Sequence, residues 1–504
     1  MPKAAASIVL ATLNARYIHS SFGLRYLRAN LGEMRPRSEI MEFTLERPTA
    51  EIAEQLLSRQ PQIIGLGVYI WNAEPMAKLV RLLKQVAPEV VLVLGGPEVS
   101  HEWQQQPLVA EADYLITGQA DLAFADLCHQ LLQGQRPAER IIHAGELSLA
   151  ELKLPYGEYS DSDLAQRVLY VEASRGCPFR CAFCLSALDK TARAFELEPL
   201  LAELQRLYER GARQFKFVDR TFNLKPQLST AILDFFLKRM QPGLFLHFEV
   251  IPDHLPEALK QRLSRFPAGS LQLEIGVQSL NPEVQQRISR KQDNAATLEN
   301  LRWLREHTQA HLHTDLIIGL PGEDSASFGA GFDRLLQLQP QEIQVGILKR
   351  LRGAPINRLS AEFGLRFSAD PPYEILQSHC IDFAQMQRLK RFARYWDLLG
   401  NSGRFRQSLP LLLGQNPFQN LLQFSDWLYA ETDQTSHIAL KRLYQLLWRY
   451  LKSTATQPDL DMLRGSILAD YTASGSKGRL ELEDAEPSHS QQRSANQRQL
   501  RHRV

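Results

Sequence analysis

The stretch Glu172-Ala-Ser-Arg-Gly-Cys177-Pro-Phe-Arg-Cys181-Ala-Phe-Cys184 decides how the rest of this 504-residue chain is interpreted. It places three thiols close together in a chain that has only 5 cysteines in total. The thiols follow shortly after the mostly apolar residues 168–173, which predict a strand. So few cysteines exclude a disulfide scaffold, and clustered thiols in a reducing compartment more often bind metal. The stretch therefore predicts a metal or redox site on the loop after a strand.

Three chemistries compete for this triplet of thiols. A structural zinc ion would need a fourth ligand, and neither a second cysteine pair nor a histidine pair at finger spacing lies nearby. A redox pair formed by Cys181 and Cys184 would leave Cys177 unexplained. An iron–sulfur cluster held by three thiolates accounts for all three, and it leaves one iron without a protein ligand. An iron without a protein ligand has an open coordination position at which a reaction can take place.

A series of strands and helices extends from the triplet to residue 368. Each predicted strand is followed by a helical pattern, and turn residues mark the boundaries between them. This order predicts a partial, TIM-like (β/α)6 barrel over 166–368, with its functional residues at the carboxyl ends of the strands. The predicted strands are 168–173, 214–218, 244–250, 271–277, 311–318 and 342–348.

The first 147 residues also alternate between strand and helix patterns. Their strands are apolar throughout, as at residues 90–94, which is what a parallel sheet covered by helices on both faces requires. An α/β, doubly wound (Rossmann-like) domain over 1–147 is predicted, followed by a linker at 148–165. Ligands of such sheets lie outside the carboxyl ends of the strands, so the loops at those ends form a second candidate site.

The last part of the chain has a different character. Residues 369–472 are predicted to form an all-helical domain whose many aromatic residues pack its core. Residues 473–504 are polar, with almost no apolar side chains, and a disordered tail is expected.

Charge and hydropathy limit the partners of the chain. It has 58 Lys and Arg against 56 Asp and Glu, a net charge of +2, which argues against nucleic acid as a target and favours a small-molecule substrate. No apolar run is long enough to predict a membrane span. The apolar N-terminus is interrupted by Thr12 and lacks a signal-peptide cleavage pattern, so a cytoplasmic protein is expected.

The spacing C-x3-C-x2-C, with the aromatic Phe183 before the last cysteine, resembles the signature of the radical S-adenosylmethionine (SAM) enzymes. The resemblance implies that Cys177, Cys181 and Cys184 hold a [4Fe-4S] cluster whose free iron chelates the amino and carboxylate groups of SAM. An electron from the cluster then splits the sulfonium and gives a 5′-deoxyadenosyl radical. An external electron donor of the flavodoxin or ferredoxin type is implied as well.

Other strand ends fit the same family and imply further SAM contacts. The second strand ends at a position where relatives hold the methionine part of SAM, although the usual Gly-Gly-Glu is replaced here by Val218-Asp219-Arg220. Asp219 and Arg220 form a mutual ion pair in the alternative interpretation. Glu274 stands in an apolar strand, where burial is costly without a partner. The implied SAM-binding residues are Phe183, Asp219, Arg220, Glu249, Glu274, Gln278, Ser279, Gly319 and Pro321.

The first domain resembles the cobalamin-binding domain of radical enzymes that use both cofactors. It lacks the D-x-H-x-x-G motif that supplies the axial histidine of mutase-type cobalamin proteins. His19 lies in the corresponding first loop, either as a cobalt ligand or as an ordinary polar residue. The resemblance implies cobalamin contacts from the strand-end loops at Tyr17, His19, Ser20, Tyr69, Trp71, Asn72, Gly95, Gly96, Pro97, Glu98 and Gly118.

The combination predicts methylation of an unactivated carbon. In this hypothesis the deoxyadenosyl radical abstracts a hydrogen atom, and the substrate radical takes a methyl group from methylcobalamin. A radical cyclisation or rearrangement with cobalamin as electron carrier is the alternative, and a non-catalytic cobalamin-binding regulator is a third hypothesis. A methylthiotransferase is disfavoured, because its second cluster needs three more cysteines and only Cys128 and Cys380 are left. No general acid or base is identified from the sequence.

Overall fold

A computed structural model describes residues 6–454 and 460–482 of the chain. The chain divides into two compact units at the boundary between Met386 and Gln387. The first unit contains both predicted α/β regions. Among the helices of the described residues, none has the length and apolar character that a bilayer-spanning segment requires.

The first sheet is parallel throughout and has the strand order β2-β1-β3-β4-β5-β6. All seven residues of β1 are buried, as expected for a strand that is covered on both faces. The sixth, partly exposed strand was not predicted from the sequence. The strands are β1 Ile8–Asn14, β2 Ser38–Thr44, β3 Ile63–Gly67, β4 Val91–Gly95, β5 Tyr114–Gly118 and β6 Ile141–Ala144.

Helices cover both faces of this sheet, so the predicted doubly wound architecture is confirmed. The strand order reverses between β1 and β3, and such a reversal opens a crevice at the carboxyl ends of the strands. The helices are α1 Phe22–Ala29, α2 Thr49–Leu57, α3 Ala73–Val86, α4 Pro107–Glu111 and α5 Ala120–Leu132.

The segment predicted as a linker, 148–165, is packed rather than extended. Tyr156 and Tyr159 are fully buried, and their hydroxyls bond to backbone atoms of Glu172 and Tyr170 at 2.8–3.1 Å. The helix α6, Asp161–Gln166, ends the segment. Polar composition suggested a linker, but two large rings with bonded hydroxyls make the segment part of the packed interior.

The second sheet has six parallel strands in the order β14-β13-β12-β11-β10-β7. Its outer strands β7 and β14 do not pair with each other, so the barrel is open, as predicted. A short hairpin, β8 and β9, follows the first strand. The strands are β7 Leu169–Val171, β8 Ser174–Arg175, β9 Arg193–Ala194, β10 Gln214–Phe217, β11 Phe245–Val250, β12 Leu271–Gln278, β13 His311–Ile318 and β14 Glu342–Ile347.

Strict alternation of burial in β12 and β13 separates an apolar side of the sheet from a polar one. In β12 the residues Leu271, Leu273, Ile275 and Val277 are buried, whereas the residues between them are only half-buried. The half-buried positions carry polar groups such as Glu274, so these line the open interior. The barrel helices are α7 Leu197–Glu209, α8 Pro226–Leu237, α9 Glu257–Leu263, α10 Pro282–Arg287, α11 Asn294–His307 and α12 Ser325–Leu336.

The region after the barrel begins with strands before it becomes helical. An antiparallel pair, β15 Arg366–Phe367 and β16 Ile375–Gln377, precedes the first helix. The prediction of an all-helical domain from residue 369 therefore placed its start too early. The helices are α13 Phe383–Trp396, α14 Leu409–Leu413, α15 Pro417–Thr432, α16 Leu440–Thr454 and α17 Leu460–Ala473, with a π-helical turn at Asp397–Asn401.

Aromatic residues pack the helical unit, in agreement with the sequence interpretation. Tyr444 is fully buried and has ring contacts with Phe405 and Tyr471 at 4.4 and 5.4 Å. The predicted tail begins later than residue 473, because Leu480 and Leu482 are buried. Residues 483–504, the rest of that predicted tail, lie outside the described residues.

Candidate functional site

The three thiols of the triplet line a single cavity of about 250 Å³, here called the cluster cavity. The loop that carries them begins at Gly176, which has a φ of +89° and lies so close to Thr191 that a Cβ would be 2.3 Å from its carbonyl oxygen. Only glycine fits at this position. The backbone of Ala182 fixes the middle of the loop, because it donates to Ile288 and accepts from Ile356 at 2.7–2.8 Å.

The three thiols line the cavity, but their side chains do not converge on a single position. No three His, Cys, Asp or Glu side chains among the described residues converge closely enough to hold one metal ion. Burial raises the pKa of Cys177 and of Cys181, and for Cys181 the neighbouring Arg290 acts in the opposite direction. Arg290 lies 3.6 Å from the Cys181 sulfur, so a cation is in place beside an anionic thiolate ligand.

Charged residues from four barrel strands line the rest of the cluster cavity. Arg220 donates to Glu249 at 2.9–3.0 Å, so the predicted alternative pairing of Arg220 with Asp219 is not formed. Glu274 accepts from His247 at 2.8 Å. Asp315, from β13, lines the same cavity.

The Glu274 carboxylate is held in its ionised form. Burial alone would raise its pKa, but the hydrogen bond from His247 and the charge of Lys216 lower the pKa to about 2. Lys216 is 3.6 Å away on the neighbouring side. The cavity therefore presents a permanently negative group at neutral pH, which suits a bound cation.

Five of the nine predicted SAM residues line the cluster cavity and four do not. The five share positions on the cysteine loop or at the carboxyl ends of strands, namely Phe183, Arg220, Glu249, Glu274 and Gln278. The four outside the cavity are Asp219, Ser279, Gly319 and Pro321.

Three of these four have other contacts that account for their location. The Asp219 carboxylate accepts from the Ala173 backbone and from Ser174 at 2.6–3.2 Å, and burial raises its pKa to about 7. Ser279 donates to Glu323 at 2.5 Å. Gly319 packs under a side chain of β16. Asp219, Ser279 and Gly319 therefore contact neighbouring protein groups instead of lining the cluster cavity, and their predicted contacts with SAM stay predictions.

A second cavity of about 450 Å³ opens between the first sheet and the barrel, and is here called the sheet cavity. The ends of β3, β4 and β5 and the start of α1 form one wall. Gly95 faces it with ample room, because a Cβ there would meet nothing closer than the Ile116 carbonyl oxygen at 3.7 Å. Gly96 instead has a φ of +111° and lies against the backbone of Val68.

The sheet cavity collects four of the eleven predicted cobalamin residues, Tyr69, Gly95, Gly96 and Gly118. The others lie elsewhere. His19 contacts the Tyr170 hydroxyl at 2.7 Å, outside the cavity, so the structure does not place it as a cobalt ligand. The remaining residues outside the cavity are Tyr17, Ser20, Trp71, Asn72, Pro97 and Glu98.

Several of the predicted cobalamin residues that lie outside the sheet cavity form contacts with other parts of the protein. Asn72 is fully buried and bonds to backbone and side-chain atoms of β1 and β3. Glu98 accepts from Arg352 at 2.9 Å and from Tyr373 at 2.6 Å, which connects the first domain to the segment after the barrel. Trp71 stacks on Tyr69 with a centroid distance of 4.5 Å. The polar groups of Asn72 and Glu98 therefore form hydrogen bonds that hold the loops together.

The two cavities meet at a common wall. Arg220 and Ser186 line both of them, and the Arg220 side chain is 57% exposed into this space. Arg175, two residues before Cys177, bonds to Asp121 of α5 at 3.1–3.2 Å and so connects the cysteine loop to the first domain. Molecules bound in the two cavities would lie next to each other.

Sequence reasoning missed several residues of these cavities. Asp315 could have been found by the argument used for Glu274, since it is also an acid in an otherwise apolar strand. Arg175 precedes the cysteine triplet, and a cation beside the triplet is a usable signal. Arg290 lies far along the chain, and no local pattern marks it.

Two family models match the two α/β domains. The Radical SAM superfamily model matches residues 171–333, and the B12 binding domain model matches residues 8–128. The chain therefore contains a radical SAM domain and a B12 binding domain. A third model, described as a protein of unknown function (DUF4080), matches residues 361–503. The predicted cofactor set of cluster, SAM and cobalamin agrees with these domains.

Two curated relatives are methyltransferases. The 2-(S-pantetheinyl)-carbapenam-3-carboxylate methyltransferase of Streptantibioticus cattleyicolor is 28% identical over 61% of this chain and 50% of its own length. The cobalamin-dependent radical SAM methyltransferase TokK of Streptomyces tokunonensis is 26% identical over 64% of this chain and 52% of its own. The chain thus spans about half the length of these relatives.

A solved structure shares the fold across most of this chain. The methyltransferase TsrM of Kitasatospora setae, with cobalamin and a [4Fe-4S] cluster bound, superposes with a TM-score of 0.61 at 15% identity. The match covers 94% of this chain and all of TsrM. At this identity the likeness concerns the fold.

The residues of this chain fit the cofactors that the two matched domains imply. Three thiols around one cavity, with Arg290 as a neighbouring cation, suit an iron–sulfur cluster with an open position. The open face at Gly95 suits a large planar ring lying against backbone.

Proposed function

We propose that this chain is a radical SAM methyltransferase that places a methyl group from cobalamin on a carbon atom of a small-molecule substrate. The observation that carries the proposal is the wall of Arg220 and Ser186 common to both cavities. A substrate at this wall would lie within reach of both cofactors. Proximity of this kind is a large part of catalysis.

Each part of the chain has a distinct role in this proposal. When bound, the cluster and SAM supply a radical that abstracts hydrogen, and cobalamin supplies the methyl group. Cys177, Cys181 and Cys184 hold the cluster. The ionised Glu274 binds the cationic part of SAM, and the bond to Glu249 keeps the Arg220 side chain in place at the wall.

The domain division belongs to the same proposal. A cobalamin-binding domain ends near residue 147, and the radical SAM barrel spans 166–368. The packed segment between them, with its two buried tyrosines, holds the domains together. An external one-electron donor reduces the cluster.

The class of substrate is supported by the relatives. TsrM has been solved with its substrate tryptophan, and the carbapenam relative is named for a small carboxylate. Both substrates are small organic molecules. Methyl transfer is favoured over cyclisation because the carbapenam relative and TokK are both methyltransferases.

The test does not require the substrate. The anaerobically reconstituted protein, loaded with reduced cobalamin, is given SAM labelled in its methyl group. A methyltransferase moves the label to bound cobalamin and releases S-adenosylhomocysteine, whereas a cobalamin that only carries electrons does not. In the same protein, 5′-deoxyadenosine should form under reduction. Deoxyadenosine without labelled cobalamin would support cyclisation or rearrangement. If neither deoxyadenosine nor labelled cobalamin forms, only the hypothesis of a non-catalytic regulator is left.

A further inference from the structure

A groove of about 620 Å³ lies directly outside the cluster cavity. Three of its residues, Phe179, Arg290 and Lys291, line both spaces, so a single layer of side chains separates the groove from the cavity of the thiols. This groove, here called the cationic groove, is lined by Pro178, Phe179, Arg180, Gln286, Ser289, Arg290 and Lys291.

The charge of this groove is one-sided. Arg180, Arg290 and Lys291 contribute three cations, and none of the described residues that line the groove is acidic. Arg180 and Lys291 are exposed, and neither forms an ion pair with another described residue. The chain as a whole carries only +2, so the groove is a local feature and not a reflection of the bulk charge.

Exposed cations without ion-pair partners leave their charge available to an approaching molecule. They attract an oppositely charged surface, raise its rate of encounter and orient it. Arg290 also touches the Cys181 sulfur at 3.6 Å, so a molecule in the groove approaches the cluster ligands through this one side chain.

The proposed function requires an electron to cross this layer. A reduced carrier loses one electron and the cluster gains one, while no bond forms or breaks and no proton moves. Phe179 and Arg290 line both the groove and the cavity of the thiols. The groove is therefore a short route from a docked protein to the cluster.

We propose that the cationic groove is the docking site of an acidic one-electron carrier protein. The cations at Arg180 and Lys291 meet carboxylates of the carrier, and Phe179 and Arg290 face its redox group. This inference rests on the proposed function, because the carrier supplies the electron that the reaction consumes. A nucleic acid would also be attracted to cations, but its regular phosphate chain needs a longer basic track than this groove offers.

The experiment uses the reconstituted full chain and a bacterial flavodoxin as the probe. The variants Arg180→Glu and Gln286→Glu each add negative charge at the rim without changing a residue of the cluster cavity. Both should weaken flavodoxin binding about tenfold. Binding of the unaltered protein should weaken as salt is raised, because an attraction between surface charges is screened.

Two reductants separate docking from chemistry. With flavodoxin as the donor, the two variants should form 5′-deoxyadenosine more slowly than the unaltered protein. With dithionite, which needs no docking surface, the two variants and the unaltered protein should form 5′-deoxyadenosine at the same rate. The matched control Lys238→Glu reverses a charge at the end of α8, at the amino ends of the barrel strands, and should change neither rate.

Several outcomes would overturn the proposal. Variants that bind flavodoxin as well as the unaltered protein contradict it, and so does a variant that also loses the dithionite-driven reaction while keeping its iron. An RNA oligonucleotide that competes with flavodoxin for the unaltered protein but not for Arg180→Glu would assign the groove to nucleic acid. If flavodoxin binds with the expected salt dependence but no SAM is cleaved with either reductant, the proposed function fails and the docking surface stands.

Discussion

The two cavities of this protein differ in the kind of residue that lines them. The cluster cavity is lined by charged and sulfur-bearing side chains, among them Glu249, Glu274 and the three cysteines. The sheet cavity is lined largely by glycines and apolar residues at strand ends, such as Gly67 and Gly95. A small charged cofactor is held by side chains, whereas a large flat one needs space against backbone.

This difference explains where sequence analysis succeeded. Charged residues in apolar strands stand out in a sequence, and most of those predicted for the cluster cavity line it. Polar and aromatic residues in the loops of the first domain looked equally suggestive, yet Asn72 and Glu98 are used to hold loops. In a cavity that is lined by backbone, glycines are the residues that indicate where the cavity lies.

The largest effect is expected from the thiols. The substitution Cys181→Ala removes a cluster ligand. Iron content and deoxyadenosine formation should therefore fall to background, while cobalamin binding is kept. Metal analysis and product assay after anaerobic reconstitution measure this. The matched control Cys380→Ser changes an exposed cysteine and should keep its iron. SAM cleavage by Cys181→Ala would contradict the cluster assignment.

A smaller effect is expected when the sheet cavity is filled. Gly95→Leu projects a side chain into the open face and should weaken cobalamin binding by about tenfold to a hundredfold, with little loss of stability. Gly95→Ala should be close to neutral. Gly96→Ala places a Cβ 2.4 Å from the Val68 carbonyl oxygen and should instead lower the unfolding temperature. Cobalamin titration and thermal unfolding separate these outcomes.

The smallest effect concerns Glu274. Glu274→Gln removes a charge-assisted contact and should weaken SAM binding about tenfold at neutral pH, measured by calorimetry, without changing cobalamin binding. Equal SAM affinity would remove Glu274 from the site.

The same residue gives a pH dependence with a defined sign. The pKa of Glu274 in the folded chain is about 2, below that of an unfolded glutamate. Its carboxylate therefore stabilises the folded chain above about pH 5, and this contribution is lost as the pH falls toward 2. The difference in unfolding temperature between Glu274→Gln and the unaltered protein should shrink from pH 6 to pH 3. A constant difference would contradict the assigned pKa.

The order of domains and their fold class could be predicted from the sequence because periodicity and turn residues are local. The cysteine spacing led to the correct superfamily for the same reason. The edge strand β6 was missed because it is short and half-exposed, and the packed linker was missed because burial of Tyr156 and Tyr159 depends on distant strands.

Local patterns in the sequence were sufficient to predict two α/β domains, a helical C-terminal region and a thiol triplet on the first barrel loop. Which polar residues face a cavity became visible only in the folded chain. Asp219 and Glu274 both stand at strand positions that suggested a site, yet one anchors backbone amides and the other faces the cluster cavity. The choice depends on what the neighbouring strands and loops bring to each carboxylate, and that is not encoded within any local stretch of residues.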